Sequence, residues 1–180
     1  MNKIAIFIIA LWVINISQTA AAETIDIFVA AREGNSRDIK TYAQNGKDVN
    51  VTNSKNYTPF ILATYNGHIE AAETLLQVGA NACALDNKGN NALMSVAFKG
   101  YQQVAQWLVE KTQCGVNHQN YAGQTSLMMA SLFGRQDIIK LLLEHGADPQ
   151  LTDHQGNTAT KLAQAQGLSH VVEIIKFHLQ

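Results

Sequence analysis

Apolar residues in this chain gather in short runs at helical spacing, and the same punctuation surrounds each run. In Asn120 to Asp153 a glycine (Gly123) stands two residues before Thr125, and an apolar run follows from Leu127 to Ala130. A second glycine (Gly134) comes next, then Ile138, Ile139 and Leu141 to Leu143, then Gly146-Ala147-Asp148. This pattern predicts a short helix ended at Gly134 and a second, amphipathic helix whose apolar stripe needs a neighbour to cover it. Gly34, Gly67, Gly100, Gly134 and Gly167 repeat one landmark at separations of 33, 33, 34 and 33 residues. Ala30, Ala63, Val96, Ala130 and Ala163 keep the same separations, and Thr58, Asn91, Thr125 and Thr158 share the period and its single insertion. A fixed period in this range is the signature of a solenoid. Each unit is too small to bury its own apolar face, so stacking is obligatory.

Local chemistry agrees with that reading. Thr58 is a good helix N-cap and Pro59 suits the first helical position, where a missing N–H costs nothing. The Gly column supplies the left-handed conformation that ends a helix, and Asn56, standing where other units have Gly89, Gly123 and Gly156, is the next-best residue for a positive φ. Asp86-Asn87-Lys88-Gly89, Asp153 to Thr158, Thr58-Pro59-Phe60-Ile61-Leu62-Ala63, Asn66-Gly67-His68 and Gly146-Ala147-Asp148 resemble the ankyrin repeat. The resemblance covers residues 24 to 180 and implies an all-α solenoid of about five helix-turn-helix repeats joined by β-hairpin-like loops.

Taken in order, Met1 to Ala22 reads as a secretory signal peptide: Lys3 supplies the positive start, Ile4 to Ile14 the short apolar run, and Ala20-Ala21-Ala22 a small-residue cleavage site before Glu23. An uncleaved anchor is the alternative, although the run is short for a membrane span. Residues 23–180 are then one ankyrin domain, divided into an N-cap (24–52), three repeats (53–85, 86–119, 120–153) and a C-cap (154–180). The third repeat is the irregular one. Asn91-Ala92 replaces Thr-Pro, the glycine after the second helix is lost, and an extra residue falls near Lys111 to Gln113, so this junction is expected to bend or loosen the stack.

Charge excludes one class of partner. The chain carries 13 basic and 14 acidic residues and no basic stripe, which argues against nucleic acid. The Gly residues punctuate repeats and form no phosphate loop, and a groove between short repeats offers no closed pocket for a nucleophilic triad, so no enzyme activity, cofactor or metal is expected. The pair Cys114 and His118 supplies two ligands where a structural metal site needs four. Cys83 and Cys114 are the only cysteines. In an exported protein an even count suggests a disulfide, and the alternative is two buried free thiols.

The resemblance implies a binding scaffold that works through hairpin tips and the concave face of the first helices. Carried over position by position, the partner-binding candidates are Tyr57, Tyr65, Asn66, Asn87, Lys88, Asn90, Phe98, Lys99, Tyr121, Gln124, Leu132, Phe133 and His154. Tyr65, Phe98 and Leu132 share one column, and exposed aromatics mark interface centres. They form either an aromatic docking ridge or a core between first helices. The expected protein is a monomer that binds another protein in the periplasm, with no membrane contact after signal cleavage. It is similar in layout to periplasmic ankyrin proteins associated with catalase, which implies a chaperone-like or antioxidant-support role. A toxin-neutralising immunity protein and a secreted effector gripping a host protein are the alternatives, with secretion as the alternative location.

Overall fold

A computed structural model describes residues 24–179 of the chain, and the signal-peptide segment read at Met1 to Ala22 lies outside them. The described residues hold ten α-helices and no strand: α1 (Ile27–Glu33), α2 (Ser36–Gln44), α3 (Pro59–Tyr65), α4 (Ile69–Gln77), α5 (Ala92–Lys99), α6 (Gln102–Lys111), α7 (Ser126–Leu132), α8 (Gln136–Glu144), α9 (Ala159–Ala165) and α10 (Ser169–His178). Consecutive helices pair into five repeats. The odd-numbered helices pack on one another as one layer and the even-numbered helices as a second.

The three sequence columns have three local jobs. Thr58, Asn91, Thr125 and Thr158 are N-caps whose side chains accept from the N–H groups of Ile61, Met94, Met128 and Lys161, which satisfies donors with no partner inside the helix. The Ala30 column is fully buried on the odd-numbered helices, where a small side chain lets neighbouring backbones approach. Every glycine of the Gly34 column has a positive φ, and Asn56, at φ 61°, is the one non-glycine residue with a positive φ among the described residues.

That Gly column also serves stacking. A Cβ on Gly34 would come within 2.8 Å of the His68 ring, and one on Gly100 within 2.9 Å of Arg135. The side chain at the start of each even-numbered helix therefore lies over the glycine of the repeat before it. His68 Nε2 bonds the Arg32 carbonyl at 3.0 Å, and the Arg135 guanidinium donates to the Phe98 carbonyl from Nε and Nη2. Ile138, Ile139, Leu141, Leu142 and Leu143 of α8 are buried, each contributing about 1.5–3 kcal/mol relative to exposure.

The irregular third repeat has a physical explanation. Chain exit from α4 and α8 passes through Gly79 and Gly146, both with positive φ, but the third repeat has Gln113 in that column. The chain instead adds a residue to α6 and leaves through Thr112 in an extended conformation (φ −120°, ψ 155°), its hydroxyl donating to the Leu108 carbonyl at 2.7 Å. Of the consecutive even-numbered helices, α4 and α6 are the least closely packed.

Here the cysteines replace an amide clamp. Asn50 donates to the Gly79 carbonyl and accepts from the Asn81 N–H, binding repeat one to repeat two. Asn117 makes the same two bonds to Gly146 and Asp148, binding repeat three to repeat four. At the junction between them the Asn column holds Cys83, whose sulfur is bonded to Cys114 with a Cα–Cα distance of 5.1 Å. Cys114 lies between Gln113 and Gly115, the residues that an Asn at position 83 would clamp.

Cys83→Ala with Cys114→Ala should lower stability by about 3–4 kcal/mol, the chain-entropy value for a loop of this size. Cys83→Asn with Cys114→Ala should recover part of the loss, because the new amide can rebuild the two hydrogen bonds. Urea unfolding of the three proteins under non-reducing conditions checks both outcomes.

Candidate functional site

Each hairpin tip is built by one side chain. Asn53 Oδ1 accepts from the N–H groups of Lys55 and Tyr57, Asp86 from Lys88 and Asn90, Asn120 from Ala122 and Gln124, and Asp153 from Gln155 and Asn157. An Asp or Asn side chain closes such a turn by bonding its own backbone two residues on. Backbone bonds then join the tips in series: Asn87 N–H to the Lys55 carbonyl, Tyr121 to Lys88, and His154 to Ala122. Side chains extend the series, since the Asn120 amide donates to Asn90 Oδ1 at 2.8 Å and the Asn90 amide to Asp86 at 3.0 Å.

Between these tips and the odd-numbered helices runs a groove of about 340 Å³. It is lined by Tyr57, Tyr65, Lys88, Asn90, Phe98, Gln124, Leu132 and Phe133 among the sequence candidates. Phe98 and Phe133 meet edge to face at 4.7 Å between ring centroids, a favourable arrangement for two rings. They are 38% and 42% exposed, while Tyr57, Tyr65 and Leu132 are half-buried. None of the five is fully buried.

Five candidates stand outside the groove lining. The Asn66 amide donates to the Leu62 carbonyl at the end of α3. Asn87 is an exposed tip residue. The Lys99 ammonium stands over the Tyr65 and Tyr101 rings at 4.9 and 5.5 Å, beside the groove. Tyr121, 68% exposed, lies against Gly89, and His154 against Gly123, each covering the tip of the preceding repeat.

The groove is also lined by Asp86, Met94, Ser95, Asn120 and Met129, which the candidate set omits. Ser95 and Met129 precede Phe98 and Leu132 by three residues, so the i,i+3 rule for helix neighbours was the available signal. Asp86 and Asn120 are frame residues of the tips that also face the groove.

Cys114 is bonded to Cys83, and His118 Nε2 bonds the Gly89 carbonyl at 2.8 Å, so this pair serves the frame. Among the described residues no group of three or more His, Cys, Asp or Glu side chains gathers at a site that could hold a metal ion.

Among the described residues two groups titrate away from their ordinary values. Burial, then the Asp86 charge, then Tyr65 push the Tyr57 phenol up. Burial also raises Asp153, but the Asn157 backbone and side-chain donors, the Gln155 N–H and nearby His154 outweigh it and hold the carboxyl below its usual value.

Family models described as ankyrin repeats match the chain at residues 27–120 (three copies) and 108–163 (many copies). The chain is 28% identical over 135 residues to the ankyrin repeat protein YahD of Escherichia coli (strain K12), a match spanning 72% of this chain and 67% of that one. It is 32% identical over 123 residues to the Dauer abnormal formation protein 25 of Caenorhabditis elegans, spanning 68% of this chain and 31% of that relative.

The Asp153 carboxyl, depressed by folding, contributes stability that is present above its unfolded-state pKa and lost as pH falls through the folded value. Below about pH 4, Asp153→Asn should therefore lose less melting temperature per pH unit than the parent. Asn120 already shows that an amide closes a tip. Asp86→Asn should lower the Tyr57 pKa without restoring its ordinary value, because burial remains; NMR titration of the Tyr57 ring checks this.

Proposed function

This chain belongs to the ankyrin-repeat family, and we propose that it is a protein-binding module whose docking surface is the groove between the hairpin tips and α3, α5 and α7. The observation that carries the reading is the exposed Phe98–Phe133 pair on the groove wall. Helix caps, glycine turns and stacking account for the frame without these rings, and aromatic side chains left open to water are what interface centres use. Tyr65, under the Lys99 ammonium, continues the same surface.

The proposed site of action is the periplasm. That assignment is supported by the signal-peptide pattern of Met1 to Ala22 and by the Cys83–Cys114 pairing, since disulfides persist in oxidising compartments. In that setting the protein would hold a partner in a competent state, in support of antioxidant defence.

Tyr65→Ala with Phe98→Ala should abolish capture of the partner from periplasmic extract while leaving the melting temperature within a few degrees. Mass spectrometry of the captured protein tests the finer role: a catalase supports antioxidant defence, a toxin an immunity function, and a host protein an effector function. A variant that fails to fold would instead assign the two rings to the core.

A further inference from the structure

Charge is divided between the two layers in a way the near-neutral total conceals. From Asn53 to Tyr57, Asp86 to Gly100 and Asn120 to Gly134, the tips and odd-numbered helices carry the cations Lys55, Lys88 and Lys99 and one acid, Asp86. Asp86 is 3% exposed and its oxygens are taken by the Lys88 and Asn90 N–H groups and the Asn90 amide. The exposed acids of these repeats lie away from the groove, at Glu70, Glu73, Glu110, Asp137 and Glu144 on the even-numbered helices and Asp148 in the loop after α8, with the exposed cations Lys111 and Lys140 among them. The tips and odd-numbered helices of these repeats therefore sum to +2, three cations less Asp86, although the whole chain has a formal charge of −1.

The cations stand where a ligand would meet them. Lys88 lines the groove, and Lys99 is held at its edge by the Tyr65 and Tyr101 ring faces, a cation–π arrangement that leaves an ammonium able to meet an anion. The Arg135 guanidinium lies outside the groove lining, in a neighbouring recess with Asp137, where it is anchored on the Phe98 carbonyl through Nε and Nη2. Beside the two lysines the lining joins Met94, Phe98, Met129 and Phe133 to the polar Asn90, Ser95, Asn120 and Gln124.

Taking the groove as the docking surface, we propose that its occupant is a protein segment in which one or two large apolar side chains are flanked by Asp or Glu. The apolar side chains would meet the Phe98–Phe133 pair, and the carboxylates would meet Lys88 and Lys99. Complementary charge selects the partner and its register more than it adds affinity. A nucleic acid fits the surface less well, because the cations form no continuous stripe of the kind that follows a phosphate backbone.

Selection of random dodecapeptides displayed on phage against the full protein tests this. The parent should enrich peptides with Asp and Glu beside an aromatic or aliphatic residue. Lys88→Glu with Lys99→Glu should shift the enriched set toward Lys and Arg and weaken the parent-selected peptide about tenfold, the scale of two partly exposed charge pairs. Tyr65→Ala with Phe98→Ala should remove enrichment altogether. Neutral or basic peptides enriched by the parent and lost with the ring variant would overturn the acidic partner while keeping the groove. Enrichment that survives the ring variant would overturn both, as would no enrichment by the parent. Tighter binding of a single-stranded thymidine dodecamer than of any selected peptide would overturn the choice of a protein partner.

Discussion

The stacking of each repeat on the next is the interaction on which the rest of this structure depends. The odd-numbered helices have seven or eight residues, too few to persist alone in water, and no single repeat has enough apolar surface to close a core. Each is completed by its successor. His68 covers Gly34, Tyr101 lies against Gly67, Arg135 covers Gly100 and Leu168 lies against Gly134. Gly34 and Gly100 are thus doubly required, by the left-handed turn each makes and by the side chain that the following repeat lays across it.

The same dependence explains the junction between repeats two and three. The stack is held along the loops after the even-numbered helices by one side chain per junction, and Asn50 and Asn117 show the polar form of that device. Where the lost glycine at Gln113 forces an extended exit from α6 and the outer helices separate, a covalent bond occupies the clamp position. Phe60 of α3 and Trp107 of α6 lie 6.3 Å apart between ring centroids, so aromatic packing also spans this junction. Phe98, the centre of the groove, stands on the third repeat, and its position relative to Tyr65 on the second depends on this junction.

Much of the site was legible residue by residue. Tyr65, Phe98 and Leu132 share a column, so their common face followed from the period alone, and the groove gathers all three. Tyr121 and His154 have a role that no column reveals: the tip glycine of the preceding repeat leaves a gap, and the residue after the Asp or Asn folds over it. Asp86, part of the repeat motif in the sequence, closes its tip and faces the groove as well, which helps raise the Tyr57 phenol. Ser95 and Met129 went unnoticed although their spacing from the ridge column is helical.

What the sequence by itself determined is the local frame: the period, the N-caps at the Thr58 column, the positive-φ positions and the apolar stripes of the even-numbered helices. Each of these is set within a few residues, where backbone sterics and side-chain caps act. The tertiary structure alone decided which aromatic rings face the groove and which cover a glycine, that Cys83 stands in for an asparagine clamp, and that the exposed acids of repeats two to four lie away from the groove. Those outcomes depend on partners about 30 residues away in the next repeat, and only stacking brings the two within reach.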